Sequence, residues 1–379
     1  MFLKGKLSTR ATLNYKMKAL IKIILACGLL MGMSACSGSG SDPEPKPVDP
    51  VTPVTPVTPE KEETINKDFV TGGDISWLTE MEDNGVKFYS RTTNAEGDCM
   101  SILKELGMKA VRFRVWVNPK TKYNGLDDVV KKAVRAKGLG LKIMIDFHYS
   151  DTWADPAHQD RPVEWQKYSD AELVSAVSSH TTTVLQTLKD KGVDVTWVQV
   201  GNETSDGMFY PTGQISKGNA KNFASFVNAG YDAAKKVYPS SKVIVHVNNG
   251  DDLNLSKYVF DALKDNHGKW DMIGLSLYPN ENQYKAKLST CVSNVEKLYE
   301  AYKTPVMICE VGMSRSAVTQ CKEFLSNFST RLKELSEQKC AGVFYWEPED
   351  YKGWNGGYTK GAFTDDGYPN DALVAFYKI

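Results

Sequence analysis

The sequence predicts an α/β protein that folds as a (β/α)8 TIM barrel over residues 66–379, and two observations support this. Eight short apolar segments have the composition of strands, and segments with apolar residues at helical spacing lie between them. Strict alternation of strand and helix indicates a parallel sheet, and about 310 residues is large for one domain except in a few architectures such as this barrel. A doubly wound open sheet is the competing architecture, but we find no GxGxxG motif or phosphate loop to favour it.

Each predicted strand is rich in β-branched, aromatic or other apolar residues. The strands in chain order are GGDISWL (72–78), AVRFRVWV (110–117), LKIMIDFHY (141–149), VTWVQVGNE (195–203), KVIVHVNN (242–249), MIGLSLYP (272–279), PVMICEVG (305–312) and GVFYWEP (342–348). Glycine stands next to many of these segments, as the short turns of an alternating chain require.

Apolar residues at three- and four-residue spacing predict helices between the strands. The helices are GDCMSILKELG (97–107), GLDDVVKKAVRAKGLG (125–140), SDAELVSAVSSHTTTVLQTLKDKG (169–192), NAKNFASFVNAGYDAAKKVYP (219–239), STCVSNVEKLYEAYK (289–303) and TQCKEFLSNFSTRLKEL (319–335). The Ser169-Asp170 opening of the third helix is a typical N-cap.

Residues 1–35 are predicted to be an export signal rather than part of the fold. Segment 17–36 has a lysine-bearing start, an apolar core too short to span a bilayer, and small residues before Cys36. The Ser34-Ala35-Cys36 ending resembles a bacterial lipobox, which implies that Cys36 is lipidated and becomes the first mature residue. An ordinary signal peptide cut nearby is the alternative, and Met17 is a candidate for the true start.

Residues 36–65 are predicted to be a flexible tether, because they are rich in Pro, Thr, Val and acids, repeat VTP three times and have no apolar face. Residues 1–35 hold six basic and no acidic residues, so the exported chain keeps 40 basic and 46 acidic residues, a net charge of −6. This balance gives no sign of attraction to nucleic acid or another anionic partner.

The cysteines carry little functional information. Five follow Cys36, and none belongs to a CxxC pair or a His/Cys cluster that would indicate a metal site. An odd number leaves at least one free thiol, and a Cys291–Cys321 disulfide is left open.

Polar and aromatic side chains gather at the predicted strand ends, where the active sites of this fold lie. Taken singly, a His or Tyr in such a place is as often structural as functional, and a Trp is more often part of the core than a platform for a ligand. The candidates are Asp74, Arg114, Trp116, His148, Asn202, Glu203, His246, Asn248, Ser276, Tyr278, Glu310 and Trp346. Together they describe a cleft with two glutamates, two histidines, one arginine and several aromatic rings.

Glu203 and Glu310 are the strongest catalytic candidates. They end strands four and seven, which lie roughly across the barrel mouth from each other, and glycoside cleavage needs two carboxyl groups that flank the bond. The alternative is that both are ordinary surface glutamates. For Glu310 this is weak, because it follows five apolar residues and an unpaired buried carboxylate is costly.

The two glutamates are predicted to have different roles. Glu203 is the expected acid/base, because the charge of Glu310 would raise its pKa. Glu310 is the expected nucleophile, kept ionised by Arg114 and hydrogen-bonded by Tyr278. The Asn202 amide is expected to hold the sugar 2-hydroxyl, and a gap of ~5–5.5 Å between the carboxyl groups would give retention of configuration.

The chain resembles the clan A glycoside hydrolases and, more narrowly, glycoside hydrolase family 53, the arabinogalactan endo-β-1,4-galactanases. The motifs that carry this likeness are GGDISWL (72–78), RFRVWVNP (112–119), DFHYSDTWADP (146–156), VQVGNE (198–203) and ICEVG (308–312). The likeness spans residues 68–379. It implies Glu203 as acid/base, Glu310 as nucleophile and retaining hydrolysis of β-1,4-galactan. It also implies a cleavage subsite lined by Asp74, Arg114, His148, Asn202, His246 and Tyr278.

The chain departs from the family pattern at HVNNG (246–250), where Asn248 replaces the acid of HxDNG. Bacterial relatives often carry calcium between the last two loops. No cofactor is expected to be required, but Asp350, Asp365 and Asp366 leave a structural calcium ion open.

Aromatic residues predict an extended groove, because rings stack on the apolar faces of sugars. Trp346 would floor the cleavage subsite, Trp354 and Tyr358 would form a wall in loop 347–363, and Trp153 would serve the opposite side. Such a groove would give endo cleavage. The alternative is a loop that packs its own aromatics.

Two other functions stay open on the sequence: a clan A hydrolase of mannan or cellulose, and a glycan-binding lipoprotein without activity. The preferred hypothesis is a monomeric galactanase that binds β-1,4-galactan and is anchored by lipid to a Gram-negative outer membrane at the cell surface. The periplasmic face is the alternative location.

Overall fold

The computed structural model describes residues 66–351 and 353–379, and it confirms the predicted barrel. The eight barrel strands are β1 (Val70–Asp74), β2 (Ala110–Val115), β3 (Lys142–Phe147), β4 (Trp197–Val200), β5 (Lys242–Val247), β6 (Met272–Leu277), β7 (Val306–Val311) and β8 (Cys340–Trp346). All neighbours pair in parallel, and β8 closes on β1. The predicted signal, lipidated Cys36 and tether lie outside the described residues.

Helices follow the strands as predicted, with several that the sequence patterns did not indicate. The α-helices are α1 (Leu78–Asp83), α2 (Cys99–Leu106), α3 (Leu126–Gly138), α4 (Asp170–Asp190), α5 (Ala220–Val237), α6 (Leu253–Asp265), α7 (Tyr284–Tyr302), α8 (Val318–Lys333), α9 (Trp354–Gly357) and α10 (Asp371–Phe376). Short 3₁₀ turns are Val163–Trp165, Ile215–Lys217 and Ser336–Gln338, and a small hairpin pairs Gly207–Met208 with Gly213–Gln214. Helix α4 begins as predicted, with a capping box between Ser169 and Glu172.

The barrel interior is apolar at the bottom and polar towards the top. Residues two apart on a strand face the same side, so each strand contributes to successive interior layers. The lower layer is a cluster of Val70, Ala110, Met144, Trp197, Ile244, Met272, Met307, Cys309 and Phe344. Two residues further along β2, β3, β4 and β5 stand buried Arg112, Asp146, Gln199 and His246. A layer of buried polar groups therefore lies above the apolar lower layer and directly beneath the barrel mouth.

Closure of the barrel needs a glycine on β1. Gly72 pairs with Phe344 of β8, and a Cβ atom at Gly72 would lie 2.5 Å from the Phe344 ring. The missing side chain therefore makes room for the Phe344 ring.

One prediction from the sequence is corrected, and one question that the sequence left open is answered. Strand β1 ends at Asp74 and not at residue 78, because the Asp74 carboxylate accepts hydrogen bonds from the Ser76 N–H and hydroxyl and turns the chain into α1. Cys291 and Cys321 do not form a disulfide, since the five cysteines in the described part of the chain are buried free thiols.

Across the residues that the structure describes, no helix has the length and apolar character to cross a membrane.

His180 of α4 makes the fold sensitive to acid. Its ring packs against Phe147, Tyr149 and Trp165, and its Nε2 atom is buried without a hydrogen-bond partner. Burial lowers the pKa of His180 to about 4. The unfolded chain therefore binds a proton here in a pH range where the folded chain does not.

We predict that replacement of His180 by phenylalanine removes part of this acid sensitivity. The contribution of His180 is fully present above pH 6.5 and is lost as pH falls towards 4, by up to about 3 kcal/mol. Urea denaturation at pH 7.5 and pH 4.5 measures it: His180→Phe should lose less unfolding free energy between the two values than the parent. His267→Phe, at an exposed turn, is the control and should behave as the parent. An equal loss in the parent and His180→Phe contradicts the assignment.

Candidate active site

The strand ends surround a cavity of about 570 Å³ at the mouth of the barrel. Ten of the residues predicted from the sequence line it: His148, Trp153, Asn202, Glu203, Asn248, Ser276, Tyr278, Glu310, Trp346 and Tyr358. The two candidate glutamates thus face the same space. Trp77, Asp155 and Lys360 also line the cavity but were not predicted as site residues. Trp77 was placed within the first strand but precedes α1, and Asp155 and Lys360 lie in loops whose course the strand patterns do not reveal.

Asn202 and Glu203 both reach the cavity because the backbone leaves the strand geometry at Gly201. Strand β4 ends at Val200, Gly201 has φ +81°, and Glu203 has φ +45°. Two left-handed residues abolish the alternation that would send neighbouring side chains to opposite faces. A Cβ atom at Gly201 would lie 2.6 Å from the Thr204 side chain, so glycine is needed here. A non-glycine left-handed residue such as Glu203 carries backbone strain, which is common at functional sites.

Glu310 reaches the cavity through a β-bulge in β7. Ile308 pairs with Leu275 and Glu310 pairs with Ser276, so Cys309 is the extra residue. Cys309 belongs to the lower interior layer, while its neighbour Glu310 lines the cavity above. The bulge therefore lets two consecutive residues face the barrel interior.

Glu310 is held by two hydrogen-bond donors. Arg112 Nη1 donates to Oε1 at 2.9 Å, and the Tyr278 hydroxyl donates to Oε2 at 2.6 Å. The predicted contact with Tyr278 is confirmed, but the predicted contact with Arg114 is wrong. Both arginines point inward from β2, and Arg112, one layer deeper, is the one that reaches Glu310, whereas Arg114 pairs with Glu347. Strand alternation alone cannot tell the two arginines apart.

Arg112 connects four strands beneath the cavity. Besides Glu310 it binds Asp74 Oδ2 at 2.9 Å, Asp146 Oδ2 at 2.8 Å, Gln199 Oε1 at 3.1 Å and Asn202 Oδ1 at 2.9 Å. Its side chain is almost completely buried, and the surrounding carboxylates hold its pKa well above the usual value. A buried guanidinium with this many partners fixes the relative positions of the groups that it contacts.

The two glutamates have different electrostatic environments. Burial and the nearby charge of Glu310 raise the pKa of Glu203 to about 8, and the donor that opposes this rise is the Ser276 hydroxyl at 2.7 Å. Burial also raises the pKa of Glu310, but Arg112 and Tyr278 counteract it. When the pair holds one proton, the proton therefore belongs on Glu203 and the negative charge on Glu310. Such a pair presents a proton donor and an ionised carboxylate to one cavity.

Three residues predicted to line the cavity lie beneath it instead. Asp74 and His246 are 0% exposed and Arg114 is 1% exposed, and none of them lines the cavity. Asp74 binds Arg112 and His246 binds Ser276, so both contact residues that support or line the cavity. The prediction of direct substrate contact is corrected to a supporting role, because the sequence pattern gives the facing of a side chain but not its depth.

Aromatic rings form one wall and the floor of the cavity. Trp346 lies 5.2 Å from Trp77, 5.9 Å from Trp153 and 5.0 Å from Tyr358 between ring centroids. The guanidinium of Arg114 stands 4.4 Å from the Trp153 ring centroid. Its Nε and Nη2 atoms make no conventional hydrogen bond, so the rings are their neighbours.

Trp116 and Trp354, two predicted subsite residues, line separate clefts. Trp116 borders a cleft shared with Arg161 and Tyr210, and its indole N–H donates to His148 Nδ1 at 3.2 Å. Trp354 borders another cleft, shared with Tyr89 and Tyr351. Asn355 lines both this cleft and the central cavity, so the two are adjacent. Neither tryptophan lines the central cavity itself.

The three residues named for a calcium ion have different surroundings. Asp365 pairs with Arg315, and Asp350 is completely buried, with both carboxylate oxygens lacking a hydrogen-bond partner. Asp366 lines the cleft beside Trp354. Over the described residues, no three His, Cys, Asp or Glu side chains are arranged to hold a metal ion.

Known proteins share this fold and much of this sequence. A probable arabinogalactan endo-β-1,4-galactanase A of Neosartorya fischeri is 32% identical over 303 residues, which cover 73% of this chain and 83% of the relative. An endo-β-1,4-galactanase of Bacillus subtilis is 28% identical over 361 residues, 88% of this chain and 82% of the relative. A solved fungal β-1,4-galactanase superposes with a TM-score of 0.75 at 28% identity and covers 82% of this chain and 99% of that one.

The catalytic domain of an Ignisphaera aggregans family 53 protein superposes with a TM-score of 0.73 at 26% identity, over 82% of this chain and 95% of that one. The sequence model described as glycosyl hydrolase family 53 matches residues 70–376, which include the whole barrel. The structure places Glu203 and Glu310 in one cavity of that barrel. The chain is therefore a glycoside hydrolase and belongs to glycosyl hydrolase family 53.

Proposed function

We propose that the protein is a retaining endo-β-1,4-galactanase that cleaves the β-1,4-galactan of type I arabinogalactan. The observation that carries this proposal is the pair Glu203 and Glu310, which share one cavity in environments that favour a protonated and an ionised carboxyl group. The galactanase names of relatives in fungi and bacteria support the choice of substrate.

The first half of the reaction forms a covalent intermediate. Glu310 attacks the anomeric carbon of the sugar, and the bond from that carbon to the glycosidic oxygen breaks. Glu203 gives its proton to the departing oxygen, so the leaving chain is released as an alcohol. Arg112 and Tyr278 keep Glu310 ionised and aligned for this attack.

The second half returns the enzyme to its starting state. Glu203, now a carboxylate, removes a proton from water as the water oxygen attacks the anomeric carbon from the face the leaving group vacated. The bond to Glu310 breaks and its negative charge returns. Two inversions give net retention of the β configuration.

The surroundings of the pair suit binding of a sugar ring. The Asn202 amide is oriented by Nδ2 donation to the Ala154 carbonyl at 2.8 Å and by Arg112 donation to Oδ1. Its second Nδ2 hydrogen is the donor that we assign to the sugar 2-hydroxyl. The Trp346 ring offers an apolar face for stacking.

Endo cleavage follows from the open ends of the site. The central cavity is lined by loop residues 355–358 after β8 and by Asp155 after β3, and two further clefts are lined by Trp354 and Trp116. A long chain can therefore cross the mouth of the barrel, with sugar units bound on both sides of the scissile bond. Cleavage within a polymer needs such a groove rather than a closed pocket.

We also propose that the enzyme acts at the outer membrane as a monomer, anchored through a lipid on Cys36 and facing the cell surface. The support is the Ser34-Ala35-Cys36 ending after an apolar core and the Pro/Thr-rich segment that follows it. A tether of this composition would let the barrel reach an insoluble or bulky polysaccharide.

We predict that Glu310→Ala abolishes hydrolysis while leaving the fold intact, because no other ionised carboxylate takes its place at the anomeric carbon. Chromatography of products from β-1,4-galactan measures the loss, with mannan and a soluble cellulose alongside the parent enzyme. Glu296→Ala, on the outer face of α7, is the control and should give the parent's ladder of galacto-oligosaccharides.

The same assay separates the competing functions. Products from mannan or cellulose but not from galactan would assign another substrate. Binding to one polysaccharide without products from any would indicate a glycan-binding protein. Proton NMR of the first products decides the stereochemistry, and an initial α-anomer would contradict retention.

We predict that Tyr278→Phe moves the acid limb of kcat/KM to higher pH. The hydroxyl of Tyr278 stabilises ionised Glu310, so its removal raises the pKa of Glu310 and the active ionised form appears only at higher pH. A shift of about one pH unit corresponds to a lost hydrogen bond to a charged group. Tyr302→Phe, which breaks a similar bond to Asp261 far from the cavity, should leave the profile unchanged. A profile for Tyr278→Phe that matches the parent would contradict this role.

We predict that Cys36→Ser prevents lipidation and releases the protein from membranes, because serine offers no thiol for acylation. Incorporation of labelled palmitate in bacteria that express the full chain measures this, together with fractionation. Cys27→Ser, within the apolar core of the signal, is the control and should remain labelled. Label in the Cys36→Ser protein would show that the lipid is attached elsewhere.

A further inference from the structure

A chain of hydrogen bonds runs from Glu203 into the barrel. The Ser276 hydroxyl lies 2.7 Å from Glu203 Oε1, and His246 Nε2 lies 2.8 Å from the same hydroxyl oxygen. His246 is completely buried and does not line the cavity, so it meets the reacting groups through Ser276. The hydrogen atoms in this chain determine which oxygen of Glu203 can carry its proton.

The surroundings of His246 Nδ1 indicate that this atom is a hydrogen-bond acceptor. Arg112 Nε donates to Gln199 Oε1 at 3.1 Å, which turns the Gln199 Nε2 group towards Asp146 Oδ1 at 2.6 Å and His246 Nδ1 at 3.2 Å. The Glu203 backbone N–H also points at Nδ1, at 3.4 Å. Gln199 Nε2 also faces Asn202 Oδ1 and the Gly201 carbonyl with its two hydrogens, whereas the Glu203 N–H meets no other acceptor among the described residues. Nδ1 is therefore assigned as the acceptor of this N–H, and the imidazole proton is assigned to Nε2.

The rest of the chain follows from this tautomer. His246 Nε2–H donates to Ser276 Oγ, and the single hydroxyl hydrogen of Ser276 is then free to donate to Glu203 Oε1. An oxygen that accepts this bond is the poorer place for a carboxyl proton. We propose that His246 and Ser276 form a positioning pair that directs the acid proton of Glu203 to Oε2, the oxygen not bound by Ser276. The proposal rests on the proposed function, in which Glu203 is the acid.

One competing arrangement uses the same heavy atoms. Asn202 Oδ1 lies 2.9 Å from His246 Nδ1, and a proton on Nδ1 would donate to it. Nε2 would then accept from Ser276, and Ser276 would accept a proton from Glu203 Oε1. The first arrangement is favoured because it gives the Glu203 backbone N–H its acceptor, Nδ1, while Asn202 Oδ1 already accepts from Arg112 Nη2 at 2.9 Å. The two arrangements give Ser276 opposite effects on the ionisation of Glu203.

The charged groups around Glu203 and His246 keep the direction of the hydrogen bonds between them constant over the working pH range. Glu310, Arg112 and Asp155 act on Glu203, and Arg112, Asp146 and His148 act on His246. Burial and the Arg112 cation lower the pKa of His246 well below its usual value, so its ring stays neutral. A neutral imidazole ring carries one N–H proton, so the hydrogen bonds through the Ser276 hydroxyl can run in only one direction.

The deciding measurement is the pKa of Glu203, observed by carbon NMR of protein labelled at the glutamate side-chain carboxyl carbon. A Glu203→Gln protein assigns the signal. In Ser276→Ala the carboxylate loses a donor, so the pKa of Glu203 is expected to rise, and Ser276→Thr, which keeps a hydroxyl, should restore it. A fall, or no change, overturns the proposal. Ser256→Ala removes a buried hydroxyl that bonds the Asp252 carbonyl and is the matched control.

A second readout needs no substitution and keeps the proposal testable if Ser276→Ala does not fold. Nitrogen NMR of histidine-labelled protein reports the tautomer, and the chain has only 5 histidines to distinguish. The Nε2–H form of His246 is expected, and the Nδ1–H form would overturn the proposal. Neither spectrum depends on turnover. Failure to cleave galactan would therefore refute the proposed function without deciding the direction of the hydrogen bonds from His246 through Ser276 to Glu203.

If galactan is cleaved, Ser276→Ala should lower kcat about tenfold with KM little changed, and it should move the alkaline limb of the pH profile to higher pH.

Discussion

The site depends on one buried cation. Arg112 lies under the cavity and contacts Asp74 on β1, Asp146 on β3, Gln199 on β4 and Glu310 on β7. A guanidinium removed from water is tolerated only when its donors are matched by acceptors, and here three carboxylates and two amide oxygens supply them. Because the partners belong to different strands, the position of Glu310 is tied to the closure of the whole barrel.

Two local departures from strand geometry turn this support into a reactive pair. The left-handed residues after β4 bring Asn202 and Glu203 to the same side, and the bulge in β7 does the same for Glu310. Once both carboxyl groups face one buried cavity, their different hydrogen-bond donors give them different tendencies to ionise. Arg112 and Tyr278 favour charge on Glu310, while burial and that charge favour the proton on Glu203. The proposed roles of acid and nucleophile therefore rest on environment, since the two side chains are identical.

The aromatic floor is held by a second arginine in the same strand. Arg114 pairs with Glu347 and lies against the rings of Trp77 and Trp153, while the Trp77 backbone N–H donates to Glu347 Oε2 at 3.1 Å. The floor that a sugar would contact is thus fixed from below by charge, as the glutamates are. Rigid rings on a fixed support bind a sugar with little loss of side-chain freedom.

The sequence by itself determined the barrel and its alternation of strands and helices, and it singled out the two glutamates as candidates. Short apolar strands, alternating helices and polar strand ends are local properties of the chain. The tertiary structure decided how deep each side chain lies and which residues it contacts. Only the closed barrel shows that Arg112 rather than Arg114 meets Glu310, that His246 lies below the cavity and acts on Ser276, and that Trp116 faces a separate cleft. Alternation specifies which way a side chain points, whereas its partner depends on strand register, bulges and the reach of residues distant in sequence.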